Sequence, residues 1–174
     1  MKPDFTLTHI SPMKTAKDLG HKKTILVLTD FTKSALNAAD YALFLAGLLK
    51  TNVLLFHSYH VSVSESDSFK MTNYALLAQT SKSNLKKEMN RLNGNIQTTT
   101  SNFKPEIDYL SEGGGIAENV CSIIDEKKNI FMLVMSGFKA RNNEDFLFGT
   151  EINSVVRKAR CPVVVVPEIE FLRL

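Results

Sequence analysis

Cysteine is scarce in this chain: only Cys121 and Cys161 occur among its 174 residues. They do not stand at C-x-x-C spacing, which removes the usual zinc and dithiol motifs from consideration. Cys121 falls inside a helical pattern and Cys161 opens an apolar strand, so both read as small apolar residues of a reducing compartment. Long apolar runs are missing too. No stretch approaches the ~18 residues that a membrane-spanning helix needs. The segment Met1 to Gly20 mixes Asp4, His9, Lys14 and Asp18 and lacks the apolar core of a secretion signal. These absences lead us to expect a cytoplasmic protein with no membrane partner. An excess of one charge is likewise absent, with 21 basic against 18 acidic side chains and a net charge of +3. The basic residues run along the whole chain, which is not the electrostatic footprint of a nucleic-acid binder. Neither a G-x-S-x-G nucleophile elbow nor a recognisable Ser-His-Asp arrangement occurs, so no catalytic residue is assigned, and no metal ligand either.

What is present is the composition of one globular domain, 44% hydrophobic and 22% charged. Thr24 to Thr29 is a near-continuous β-prone run, the pattern of a strand buried on both faces. Asp30-Phe31-Thr32 breaks it, and Thr32 is placed to cap a helix striped by Ala35, Ala38, Ala39, Ala42, Ala46 and Leu49. Val53 to His57 is a second strand of buried type. The serine-rich stretch Val61 to Lys70 reads as a loop. Tyr74, Leu77, Leu85, Met89 and Leu92 mark a long amphipathic helix, ended by Asn93-Gly94-Asn95. Ile107 to Leu110 is a short strand closed by Gly113-Gly114-Gly115, and Ile116, Val120, Ile123 and Ile124 stripe the next helix. Ile130 to Met135 is a fourth strand. A polar loop from Ser136 to Asp145 precedes a short helix with Ile152, Val155 and Val156 inward, and Cys161 to Pro167 is a fifth strand. Strict alternation of strand and helix predicts right-handed crossovers and an open, doubly wound parallel α/β sheet with helices on both faces. Ligands of such sheets bind outside the carboxyl ends of the strands. That directs attention to Thr29-Asp30, His57-Ser58, Met135-Ser136 and the loop up to Gly149-Thr150.

Five fragments at these places, in order, resemble the universal stress protein family. They are the opening "ILVLTDFTKSALNAADYALFLA", then "LLFHSYH", "MLVMSG", the glycine-threonine pair of "FGT", and the closing "CPVVVVP". The resemblance covers Lys23 to Pro167. It implies a five-stranded parallel sheet of order 3-2-1-4-5 in a domain spanning 23–174, behind an N-terminal arm at 1–22. It also implies a homodimer paired through the last strand, Val163, Val164, Val165 and Val166. One branch of the family holds ATP on a Gly-x2-Gly-x9-Gly-Ser/Thr loop, and another branch lacks that loop. Fixing the end of the loop on Gly149-Thr150 puts its first glycine at Ser136 and its second at Lys139. Glycine permits positive φ and close approach of backbone N–H groups to phosphate, and a side chain at either place disturbs that. Lys139 can instead offer a charge.

The nucleotide or anion candidates are therefore Thr29, Asp30, Ser58, Met135, Ser136, Lys139, Gly149 and Thr150. The Asp30 carboxylate suits a ribose hydroxyl or base amine, and it equally suits a turn into the first helix. Ser58 matches a family position whose backbone meets adenine. Thr150 can cap the following helix, where N–H donors favour an anion, although a plain turn uses the same residues. His57 reads as a hydrogen-bonded structural histidine. The triple glycine reads as a tight turn. Arg157, Lys158 and Arg160 offset the dipole at the end of the last helix. The expectation is a stress-response or regulatory protein that works through dimerisation and a protein partner or small ligand. It carries no certain cofactor and does not bind ATP in the family's ordinary way. The alternative is an adenine-nucleotide-binding protein with slow ATP hydrolysis.

Overall fold

The computed structural model describes residues 22–60, 67–97, 102–137 and 153–167, with the side chains of 67–72 left aside. In chain order the elements are β1 (Thr24–Leu28), α1 (Lys33–Leu49), β2 (Asn52–Tyr59), α2 (Asp67–Gln97), β3 (Ile107–Gly113), α3 (Ile116–Glu126) and β4 (Ile130–Ser136). A short helix at 153–158, α4, leads into β5 (Val163–Val166). The strands form one parallel sheet in the order β3-β2-β1-β4-β5. This is the doubly wound α/β architecture expected from the alternation of elements, and the strand order is the one implied by the resemblance.

The uninterrupted apolar runs have a direct cause, because each central strand feeds two cores. Ile25 and Val27 of β1, Val53 and Leu55 of β2, and Val134 of β4 face α1 and α2. Leu26, Leu54, Phe56, Leu133 and Met135 face α3 and α4. Side chains alternate across a strand, so where the sheet is covered on both faces the middle of each strand is apolar on both, and the buried polar residues Thr24 and Asn52 stand at strand starts. The alanines of the stripe work as read from sequence: Ala38, Ala39, Ala42 and Ala46 are fully buried, and their small side chains let α1 lie close against the sheet, whereas Leu49, read as part of the same stripe, is 49% exposed at the helix end. Thr32 caps that helix by accepting from the Ala35 N–H at 3.3 Å. Lys50 closes it in the left-handed conformation, φ 54°, with its N–H on the Ala46 carbonyl.

Several boundaries differ from expectation. The serine-rich loop ends early, because α2 has begun by Asp67; residues 61–66 lie outside the described set. Asn93-Gly94-Asn95 does not end α2, which runs on to Gln97. Leu92 and Ile96, one turn apart, are both buried and carry the helix past Gly94, outweighing a glycine penalty of about 1 kcal/mol. The strand β3 extends to Gly113, three residues beyond Leu110. In α4, Val155 points inward as expected but Val156 is 45% exposed. Ile152 lies outside the described residues.

A polar clamp joins the two helices on one face of the sheet. Arg91 of α2 donates from Nη1 to both oxygens of Asp40 of α1, at 2.9 and 3.1 Å. Its Nε and Nη2 donate to Glu88 at 2.9 and 2.7 Å. Asn95 Nδ2 adds a 3.2 Å bond to Asp40. Glu88 is only 4% exposed, so its charge depends on this partner.

Candidate functional site

The carboxyl ends of β1, β2 and β4 lie side by side, and they bring Thr29, Asp30, Ser58 and Ser136 to one end of the sheet. Thr29 is buried and fully engaged. Its N–H donates to the Phe56 carbonyl at 2.9 Å and its Oγ1 accepts from the Phe31 N–H at 3.1 Å. The Thr29 carbonyl lies 2.7 Å from His57 Nδ1. A carbonyl only accepts, so the imidazole must carry its proton on Nδ1. His57 thus has the structural role expected of it, and its ring stacks at 4.5 Å, tilted 45°, on that of Phe31.

Phe31 occupies the left-handed region at φ 64°, a conformation that costs a non-glycine residue of order 1 kcal/mol or more. Three contacts hold it there: the Thr29 hydroxyl, the His57 ring, and packing against the core under α1. This turn carries the chain from β1 into α1, and it directs Asp30 outward. The Asp30 Oδ1 accepts from the Thr32 N–H at 3.0 Å and from the Thr32 hydroxyl at 2.6 Å. The same threonine oxygen accepts from Ala35. Asp30, Thr32 and Ala35 therefore form a relay that starts the helix, and this is the turn role weighed for Asp30 from sequence.

At the next strand end, the Ser58 hydroxyl donates to the Gly114 carbonyl at 2.8 Å and accepts from Asn119 Nδ2 at 3.1 Å. Asn119 also reaches the Gly113 carbonyl at 3.4 Å, and the Gly114 N–H donates to Tyr59 at 3.0 Å. The triple glycine is thus a tight, pinned turn. Gly114 has φ +126°, which favours glycine. At Gly113 a Cβ would come within 2.5 Å of the Tyr74 hydroxyl, so the absence of a side chain lets α2 lay Tyr74 over the end of β3. The Tyr74 ring also meets Tyr59 edge-on at 5.2 Å. Burial, the hydrogen bond with Tyr74, and the nearby charges of Tyr74 and Glu112 push the Tyr59 phenol well above its ordinary range. Asn119 and Tyr59 were not singled out from sequence, and Tyr74, read there only as part of the apolar stripe of α2, is 48% exposed. Asn119 sits half-buried at the edge of a regular helix stripe, where periodicity carries no information about a partner 61 residues earlier.

The fourth strand gives a different picture. Met135 is 1% exposed and packs in the core under α3, so any contact it makes at the strand end is through its backbone. Ser136 pairs in register with Val166, and the Gly137 N–H donates to the Val166 carbonyl at 2.6 Å. Lys139, Gly149 and Thr150 lie outside the described residues. In β5, one edge pairs with β4 and, among the described residues, the other pairs with no strand. Val163, Val164 and Val166 pack inward, whereas Val165 is 47% exposed. No group of three or more His, Cys, Asp or Glu side chains among the described residues could hold a metal ion. No helix among them is long and apolar enough to cross a membrane.

Comparison with known proteins agrees with this architecture. Among solved structures, the chain is similar to the universal stress protein UspA of Lactobacillus plantarum, with a TM-score of 0.67 and 18% identity over 83% of this chain and 97% of that one. A universal stress protein solved in complex with cAMP gives a TM-score of 0.57 and 19% identity over 85% of this chain and 98% of that one. One from Archaeoglobus fulgidus in complex with dAMP gives 0.56 and 18% over 83% and 97%. At these identities the likeness is one of fold. No curated protein sequence matches the chain significantly. The model of the universal stress protein family matches residues 22–167. That match spans every described strand and helix, and the chain belongs to the universal stress protein family.

Proposed function

We propose that this chain is a stress-response regulator that associates with a second copy along β5 and acts through a protein partner or a small ligand. In this reading it does not hold ATP by the glycine loop used elsewhere in its family. The observation that carries the reading is the engagement of Asp30, whose Oδ1 already takes two hydrogen bonds from Thr32. A nucleoside hydroxyl would have to compete with an intramolecular donor 2.6 Å away. Ser58 is similarly tied to Gly114 and Asn119. The Gly137 N–H, a natural phosphate donor just past β4, is directed to Val166 instead. Ser136 and Lys139 stand where the loop would need glycine, and backbone approach to phosphate is the mechanism that glycine supplies.

A second reading is supported by the gathering of Thr29, Asp30, Ser58 and Ser136 at adjacent strand ends, where ligands of open α/β sheets bind. The relatives solved with cAMP and dAMP hold nucleotides with one phosphate each. A single phosphate demands fewer backbone donors than a triphosphate, so the loss of loop glycines weighs less against it. In this reading the chain is an adenine-nucleotide-binding protein that favours monophosphates.

Calorimetric titration separates these readings. ATP with magnesium at millimolar concentration is expected to give no binding heat. Saturable heat from cAMP or AMP alone would favour the second reading. A stoichiometric ATP isotherm that Asp30→Ala abolishes would overturn the first.

A further inference from the structure

Lys22, Lys23, Lys50, Lys104, Lys127 and Lys128 are scattered along the sequence, yet the parallel sheet gathers them at one end. Each stands just before a strand: Lys22 and Lys23 before β1, Lys50 before β2, Lys104 before β3, and Lys127 and Lys128 before β4. Because these strands all run the same way, their starts lie along one edge of the sheet, opposite the end that carries Asp30 and Ser58. Short bonds hold the starts together. The Asn52 N–H donates to the Lys23 carbonyl at 3.0 Å, and the Thr24 N–H to the Asn129 carbonyl at 2.9 Å. The Ile130 N–H donates to the Lys127 carbonyl and the Val53 N–H to the Glu106 carbonyl, both at 2.9 Å. Asn129 Nδ2 reaches the Lys22 carbonyl at 3.3 Å. With neighbouring strands about 4.8 Å apart, the row of starts from β3 to β4 spans about 14 Å.

The fold does not neutralise this edge. Lys127 is half-buried and the other lysines are exposed, and among the described residues none of them makes an ion pair. The carboxylates interspersed with them are Glu106, Asp108 and Glu126, while Asp125 is taken by Arg160 at 3.5 Å. Helix dipoles explain part of the cluster, since Lys50 and Lys127 cap the carboxyl ends of α1 and α3. Lys22, Lys23 and Lys104 cap no helix. Instead, Lys22 Nζ lies 5.6 Å over the Phe103 ring and Lys23 Nζ 5.6 Å over the Phe131 ring, which holds both cations beside the strand starts. Clustered ammonium groups repel one another, and an anionic partner settling among them relieves that repulsion.

We propose that this lysine edge is a docking surface for a carboxylate-rich protein segment. The inference rests on the protein-partner reading above and gives that partner its chemistry. Three features select carboxylates over the phosphates of a nucleic acid or a membrane. Lysine supplies point charges, and the planar fork of arginine that grips phosphate is missing from these four strand starts. Phe103 and Phe131 are half-buried beneath Lys22 and Lys23, so neither ring is an open platform for a base. Glu106, Asp108 and Glu126 repel a continuous phosphate chain, whereas a protein segment can set uncharged or basic residues opposite them. About four or five extended residues cover the ~14 Å row, so one short acidic run reaches from Lys104 to Lys128.

The test titrates the full chain into a fluorescein-labelled polyglutamate peptide at low salt and follows fluorescence anisotropy. Saturable binding that weakens as salt is added is expected. Lys104→Glu/Lys128→Glu alters exposed residues at the two ends of the row and is expected to weaken binding about tenfold or more. Lys86→Glu/Lys87→Glu makes the same change of net charge on exposed residues in the middle of α2 and is expected to bind as the unaltered chain does. Competition on the unaltered chain is decisive whether or not the variants fold: unlabelled polyglutamate is expected to displace the probe better than a DNA duplex or phosphatidylserine vesicles. Absence of peptide binding, an equal loss in the α2 variant, or better displacement by DNA or vesicles would overturn the proposal. Those failures leave the reading above standing, since that reading fails instead on an ATP isotherm that Asp30→Ala abolishes.

Discussion

His57 Nδ1 lies 2.7 Å from the Thr29 carbonyl oxygen, joining the ends of β1 and β2 just where the chain turns into α1. The same imidazole supports the Phe31 ring, so one side chain fixes both the strand ends and the strained residue between them. Replacing it by His57→Phe keeps a ring but leaves the buried Thr29 carbonyl without its donor. An unsatisfied buried acceptor costs about 1–3 kcal/mol. Urea unfolding of this variant is expected to show a loss in that range with an unchanged slope, and a loss near zero would mean that the bond stabilises nothing.

The clamp between α1 and α2 makes a larger prediction. Arg91→Met leaves Glu88, almost wholly buried, facing Asp40 without a cation. Breaking one side of a buried pair costs about 3–5 kcal/mol, and the partial exposure of Arg91 places this case at the lower end. The double variant Glu88→Gln/Arg91→Met is expected to recover part of the loss. Thermal unfolding of the three proteins checks the order: wild type, then the double variant, then Arg91→Met.

Tyr59 gives the fold an alkaline limit. Its phenol is held above the ordinary value of about 10. A group whose folded pKa is raised favours the folded state fully at pH below its unfolded value. That contribution is lost as pH rises through the folded value, because the unfolded chain releases the proton first. Stability is therefore expected to fall above about pH 10, and Tyr59→Phe should flatten the decline. A phenolate titration by ultraviolet absorbance should also lose its latest-titrating component in that variant. Equal alkaline profiles for the two proteins would remove Tyr59 as the cause.

The edge of β5 away from β4, which pairs with no strand among the described residues, bears on the proposed self-association. A lysine on a free strand edge disfavours pairing with another chain. Val165→Lys replaces the one outward-facing valine of the strand, so under the proposed pairing of two copies along β5 it is expected to sediment as a monomer where the unaltered chain sediments as a dimer, with little change in melting temperature. A variant that still sediments as the dimer would exclude this edge as the interface.

The sheet was legible because burial on two faces forces apolar runs, and Ile25 to Val27 or Val53 to Phe56 can mean little else at that length. The alanine stripe of α1 was legible for the same reason. Helix ends were harder to read. Gly94 looked like a stop because local preference predicts one, but Ile96 gains more from the core than Gly94 loses. At the strand ends, Thr29 and Asp30 stood out because turn chemistry and ligand chemistry favour the same residue types. For that reason the sequence left two roles open for Asp30, and only the placement of Thr32 revealed the turn role. Asn119 was not marked in the sequence, and Tyr74 was marked only as a helix-stripe residue, because their partners, Ser58 and Gly113, are distant in sequence and touch them only through the fold.

The most direct test of the account is the nucleotide content of the purified chain. The protein is to be isolated without added nucleotide, denatured, and its supernatant examined by mass spectrometry. In the proposed reading, a chain whose Asp30 is held by Thr32 is predicted to release no ATP. Release of ATP in amounts approaching one per chain would contradict it.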